Sequence, residues 1–161
     1  MAQSPVSDRT PNMLPPLARD VSEFLQTRSA LHYTFCLLIC LNQSKLAKEL
    51  FAKVIKSGID DLKSYKNSEE IWFFKHLHHV WKGFVRFRKE LKSNHGKGQF
   101  DWVRIQERQQ YMALALMSPD EREIFLYRIW LKFGVDRIKQ ITDFEAKRII
   151  DLFESAVSKV V

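Results

Sequence analysis

The chain is expected to be all-helical, built as two small helical domains joined by a short linker. Three observations point there. Apolar residues recur at helical spacing over most of the 161 residues, only five glycines punctuate them, and no alternating strand pattern occurs. Apolar residues make up 45% of the chain, which is enough for packed cores.

The first sixteen residues hold Pro5, Pro11, Pro15 and Pro16, together with Ser4, Ser7 and Asn12. This composition predicts a disordered arm over 1–16. The first domain is expected over 17–92. Leu17, Val21, Phe24, Leu25, Leu31 and Phe35 follow a helical stripe that continues to Leu41, where Asn42, Gln43 and Ser44 break it. Ser44 is the expected N-cap of a second helix, with Leu46, Leu50, Phe51, Val54 and Ile55 as its stripe and Gly58 as its end. After a polar loop at Ser64–Asn67, Ser68 caps a long helix with Glu69 and Glu70 in its first turn, where acids favour the positive dipole end. That helix carries Trp72, Phe73, Leu77, Val80, Trp81, Phe84, Val85 and Phe87.

The polar, Gly-containing stretch from Ser93 to Gly98 predicts a linker over 93–101. The second domain is expected over 102–161. Ser118-Pro119-Asp120-Glu121 has the form of a capping box with proline in the first turn. The helix it starts should run over 119–132 with Ile124, Phe125, Ile129 and Trp130 inward. Gly134 closes it, and a short helix follows over 135–141. Thr142-Asp143-Phe144-Glu145 offers a second capping box. The last helix then uses Ile149, Ile150, Phe153, Ala156 and Val157. A short helix, a tight polar turn and an apolar-striped helix make a helix-turn-helix, the shape whose second helix enters the major groove in DNA-binding proteins.

Charge narrows the function. The net charge of +7 is concentrated over 71–98, which carries 7 basic groups, 1 acidic group and four of the five histidines. Such a cluster on one element attracts a polyanion. Cys36 and Cys40 lie four apart on an apolar stretch and read as core residues of a cytoplasmic protein rather than a bridge. The apolar run from Tyr33 to Leu41 is far shorter than the roughly twenty residues that span a bilayer, so no membrane insertion is expected. His76 and His79 share a helix face, but no third ligand at a metal-site spacing accompanies them. No phosphate loop or nucleophile motif is present. A metal, a cofactor, catalytic residues and a small-molecule substrate are therefore not expected, and the chain reads as a binding protein rather than an enzyme.

The order of these motifs resembles the small two-domain bacterial RNA polymerase sigma factors of the extracytoplasmic-function type. Leu116 to Ile124 is similar to the "Leu-Pro-x-x-x-Arg" step of their promoter-recognising domain, region 4. Ile138, Phe144, Ile149, Phe153 and Ala156 fall at its helix-turn-helix core positions. The first domain is similar to region 2. Leu46-Ala47-Lys48-Glu49-Leu50-Phe51 matches the helix that docks on the polymerase clamp, and Trp72-Phe73 matches the start of the promoter-melting helix. The departures are specific. Arg137 and Lys139 replace an expected Glu and Ala, and Asp143 replaces the turn glycine. Ile150, Leu152 and Ser155 stand where cations are usual.

The resemblance implies core RNA polymerase and promoter DNA as partners, with room for an anti-sigma factor. It assigns polymerase docking to Leu46, Glu49, Leu50 and Phe51. It assigns contacts to the −10 element to Tyr65, Lys66, Asn67, Trp72, Lys75, His79, Lys82, Arg86, Arg88 and Lys89. Lys139, Lys147 and Arg148 would serve the −35 element. Two other readings stand beside it: a sigma-like adaptor or decoy, favoured by the cation-poor last helix, and a helix-turn-helix regulator that does not melt DNA. A linker of about ten residues reaches at most roughly 35 Å, which also favours the adaptor.

Overall fold

A computed structural model describes residues 30–59, 69–92 and 112–160, and within them every regular element is helical. The elements are α1 (30–39), α2 (Ser44–Gly58), α3 (Glu69–Arg86), a single 3-10 turn (Lys89–Leu91), α4 (112–116), α5 (Pro119–Phe125), α6 (Val135–Thr142) and α7 (Ala146–Ser158). The arm 1–16, the linker 93–101 and the loop bearing Tyr65, Lys66 and Asn67 lie outside the described residues.

Helix α3 is the centre. Its Trp72, Phe73, Phe74, Leu77 and Trp81 are completely buried, which takes most of its circumference out of solvent. Helix α2 packs on one side of it and α6 on another, while α5 and α6 both pack on α7. Helix α2 approaches α3 closely at Gly58. The Trp72 indole N–H donates to the Gly58 carbonyl at 2.6 Å, and a Cβ added at Gly58 would stand 2.8 Å from the same indole nitrogen. Glycine is required there by close approach.

The segments expected as two separate domains share one buried core. Phe35 of α1 stacks on Tyr127 at 5.4 Å, and Phe74 of α3 meets the edges of Tyr127 and Phe133 at 5.7 and 5.8 Å. The Trp81 indole N–H reaches the Pro119 carbonyl at 3.3 Å. Arg122, completely buried, donates from Nη1 to the Ile39 carbonyl at 3.1 Å. Its Nε and Nη2 donate to Leu114 and Met117 carbonyls at 3.0 and 3.2 Å. These carbonyls close the last turns of α1 and α4, the negative ends of their dipoles. Burial pulls the pKa of Arg122 down to about 10, still far above neutrality, so the guanidinium stays charged.

The local start signals are partly corrected. The Ser118 box forms as expected: the Glu121 N–H donates to Ser118 Oγ at 3.2 Å, and the Ser118 N–H donates to Glu121 Oε1 at 2.9 Å. Ser44 is not a cap, because Gln43 takes the N-cap position and no side chain caps α2. The box expected at Thr142–Glu145 does not form. Thr142 is the last residue of α6; its hydroxyl donates to the Ile138 carbonyl and accepts from the Phe144 N–H. Asp143 then ends α6 in the left-handed region (φ 63), and Glu145 is the N-cap of α7 without a side-chain bond.

The helix expected over 119–132 also changes character. After Phe125 it widens into one π turn, Leu126–Trp130, closed by the Leu131 N–H on the Leu126 carbonyl. One extra residue in a turn rotates everything beyond it, so Ile129 is 49% exposed rather than inward and Trp130 is half-buried. Ile150 is likewise exposed, at 44%. Gly134 is the N-cap of α6 in an ordinary extended conformation, and the sharp reversal falls at Lys132 (φ 60) instead.

Replacing Arg122 with Met should destabilise the protein by about 3 kcal/mol or more, because three buried carbonyls lose a charged donor together. Urea unfolding measures this. Arg122→Lys should recover only part of the loss, since an ammonium cannot fork across three acceptors.

Candidate nucleic-acid interface

Helix α3 has one face left over from the core, and it is basic. Lys75, His79, Lys82 and Arg86 are spaced by four, three and four residues, which aligns them along a single stripe. His79, Lys82 and Arg86 are exposed, and Lys75 is 37% exposed at its side chain. From Lys75 to Arg86 the stripe runs about 16 Å at the helical rise, and Lys89 and Lys92 extend it past the helix end.

The stripe borders two shallow clefts. One, of about 320 Å³, lies between α3 and the start of α5 and brings Lys82, Arg86 and Lys92 around Ser118 and Asp120. The other, of about 450 Å³, holds Ser57, Lys75, His76 and His79 against the end of α6. Lys75 is tied there, donating to the Gln140 carbonyl at 3.4 Å and lying 3.8 Å from the Asp143 carboxylate. Among the described residues, Lys82, Arg86, Lys89 and Lys92 form no ion pair.

Other residues expected to touch the −10 element are placed differently. Trp72 is completely buried and hydrogen-bonded to α2, so its ring belongs to the core and offers no stacking surface. Arg88 turns inward: its guanidinium lies 3.9 Å from the centre of the Phe84 ring, donates to the Phe84 carbonyl at 2.9 Å and pairs with Glu49.

The expected polymerase-docking residues are divided in the same way. Leu50 is completely buried and Phe51 half-buried, packed edge-on against Tyr33 at 6.0 Å and against Phe73 at 5.8 Å. Leu46 and Glu49 line an open cleft on the surface.

The helix-turn-helix is formed by α6, the turn 143–145 and α7, with Ile138, Ile141, Ile149 and Ala156 buried between them and the rest of the core. Phe144 plugs the turn, 5.1 Å edge-on from His78. The cations of α7 are already engaged. Lys147 pairs with Asp151 at 3.0 Å, one turn along. Arg148 pairs with Asp120 at 3.1 Å and stacks over Phe144 at 4.5 Å. Lys139 is exposed on α6. With Glu145, Ile150, Asp151 and Glu154 also outward, the exposed face of α7 is mixed in charge.

Beneath the stripe lies a buried polar cluster. The Glu123 carboxylate, 1% exposed, accepts from the Tyr127 hydroxyl and bonds His78 Nδ1, both at 2.7 Å. Burial works to lower the pKa of His78, but the hydrogen bond and charge of Glu123 outweigh it, and the net shift is upward from 6.5. Burial, together with the same carboxylate, pushes the Tyr127 hydroxyl well above its usual range. The two cysteines are free thiols in the core, and burial raises Cys40 to about 12, which leaves it unreactive near neutral pH.

Compared with known protein families, curated proteins and solved structures, the chain matches none. Among the described residues no three His, Cys, Asp or Glu side chains group as metal ligands, and no helix is long and apolar enough to cross a membrane. The sequence did not show that Lys92 and the Ser118 cap would stand together beside the stripe, since they meet only through the fold; Asp120, the partner of Arg148, is 28 residues away from it.

Because the folded pKa of His78 is raised, the charged pair with Glu123 contributes fully below about pH 6.5 and is lost as pH rises through the folded value. Stability measured by urea midpoint should therefore decline on going from pH 6 to pH 8, and His78→Gln should flatten that slope. An unchanged slope in the variant would remove His78 as its source.

Proposed function

We propose that the chain is a divergent sigma-type transcription factor that contacts nucleic acid mainly through the basic stripe of α3 and docks on core RNA polymerase through the α2 surface around Leu46 and Glu49. The observation that carries this reading is that Lys82, Arg86, Lys89 and Lys92, along and just past the α3 stripe, form no ion pair among the described residues. Opposite charges at i and i+4 stabilise a solvated helix face and like charges there oppose it; here Lys82 and Arg86 follow one another on the stripe with no acid between them. Such a track suits phosphates.

The sigma-type assignment draws its support from the resemblance of Leu46–Phe51 and Leu116–Ile124, and from a helix-turn-helix in the expected order. Two observations favour a second reading, a sigma-like adaptor that no longer reads promoters. The α7 cations are spent on Asp151 and Asp120. The two halves are packed on one core, whereas separate contacts to two promoter elements call for separate domains.

Binding of duplex or single-stranded DNA should weaken steeply with salt. Changing Lys82 and Arg86 together to Ala should reduce the slope of log K against log[salt] by about 2 units. Changing Lys147 and Arg148 to Ala should leave the slope nearly unchanged. The opposite pattern would return the DNA contact to the helix-turn-helix.

Core polymerase should co-purify with the wild-type chain, and Glu49→Lys should reduce its recovery. Recovery unaffected by that change would remove the α2 surface from the docking site. DNA binding lost with polymerase recovery intact would favour the adaptor.

A further inference from the structure

The cleft of about 320 Å³ between α3 and the start of α5 gathers more positive charge than a track along one helix requires. Lys82 and Arg86 line it from α3, and Lys92 lines it from just past the 3-10 turn. Like charges four apart on a helix oppose one another, and a third cation beside them adds to that cost. None of the three forms an ion pair among the described residues. A strand lying on the stripe accounts for Lys82 and Arg86. It accounts neither for the convergence of Lys92 on them nor for the concave shape.

The walls of the cleft are held in place by the fold. Leu91 is completely buried, which pins the 3-10 turn and the residue that follows it. The bond from the Trp81 indole N–H to the Pro119 carbonyl holds the α5 side against α3. The charge balance is set as well. Asp120 is the one acid in the lining, and Arg148 of α7 already pairs with it at 3.1 Å. Ser118 Oγ accepts the Glu121 N–H, which leaves the hydroxyl proton to be donated. The Ser118–Glu121 box occupies the Ser118 and Glu121 amides, so the attraction comes from side chains and not from the helix end.

Three unpaired cations around a small volume are matched by several negative charges close together. Successive phosphates of a strand are separated by a sugar and bring one charge each, whereas the two phosphates of a pyrophosphate share an oxygen. We infer that this cleft binds a pyrophosphate group, its oxygens shared among Lys82, Arg86 and Lys92, with the Ser118 hydroxyl donating to one of them. A single carboxylate brings too little charge for three cations. The group has two sources, a free nucleoside polyphosphate or the 5′-triphosphate end of an RNA strand. The second rests on nucleic-acid binding by the stripe; the first does not.

The test uses the full chain in magnesium-free buffer at fixed ionic strength, titrated calorimetrically with inorganic pyrophosphate and with orthophosphate. Pyrophosphate should bind about tenfold tighter or more, because it brings more charge to the same cations. It should also raise the melting temperature, since it binds the folded cleft alone. Ser118→Asp keeps a good N-cap but places a carboxylate among the cations, so the fold should hold and pyrophosphate binding should be lost. Ser118→Asn, a cap without the charge, should retain most of it. Asp120→Asn removes the one acid of the lining and should tighten pyrophosphate about threefold. Adenosine triphosphate against adenosine, and a 5′-triphosphate RNA 12-mer against its 5′-hydroxyl form, then separate the sources: a gain with the nucleotide identifies the free ligand, and a gain with the 12-mer alone identifies a strand end. Pyrophosphate bound no tighter than orthophosphate, or bound equally by Ser118→Asp, would overturn the assignment. Strand binding without that preference removes the pyrophosphate site and leaves the stripe; pyrophosphate binding without strand binding does the reverse.

Discussion

A guanidinium in a protein interior must find acceptors for its N–H groups, and water is not there to supply them. Arg122 meets this demand with three backbone carbonyls and no carboxylate. Each carbonyl belongs to a helix end, where acceptors lack a following turn to satisfy them; Leu114 also accepts from the Met117 N–H at 3.2 Å. The cation and the helix ends therefore satisfy one another. Because one of those ends closes α1 and the others close α4, the position of α5 is fixed against both halves at once. The Ser118–Glu121 box sits one turn before Arg122 and sets the direction in which that helix begins.

Around this fixed point the aromatic residues gather. Phe35, Phe74, Tyr127 and Phe133 pack mutually, drawn from α1, α3 and the segment after α5. Aromatic rings bury large areas and prefer offset or edge-on contact, and both geometries occur here. The same packing decides what remains for function. With its rings committed to the core, the described positions that α3 exposes are His79, Lys82, Gly83 and Arg86. Glu121 shows a related economy: besides capping α5 it takes Lys159 at 2.5 Å and Ser155, so the far end of α7 closes on the start of α5. Burial would raise its carboxyl pKa, but the bonds from Lys159, Ser155 and the Ser118 backbone lower it on balance, which keeps it ionised.

The helices were legible because their signals are local. The 3.6-residue stripe, the Ser118 box and the concentration of charge over 71–98 are all set within a few turns of chain. What was not legible involves residues distant in sequence. Nothing near Arg148 shows that Asp120 will neutralise it, and nothing near Ile39 shows that Arg122 will cap it. The shared core of the two halves is of this kind. Ile129 was misplaced for another reason, since a π turn leaves little trace in composition yet shifts the phase of every residue after it. Trp72 is buried and Phe87 exposed, the reverse of what was expected, because periodicity alone does not say which aromatic lies at the end of the buried stripe. Trp72 faces Gly58, while Phe87 falls just beyond the last turn of α3.

The bond from Arg122 to Ile39 joins residues 83 apart. A ribosome releases Phe35 and Phe74 long before it has made Tyr127 or the guanidinium that closes α1. During that interval the first half has its own helices but lacks the partners that cover them. Contacts of such separation slow folding and leave apolar surface open during synthesis. The apolar faces of α1 and α3 therefore wait for the segment that carries Arg122 and Tyr127 before they are covered.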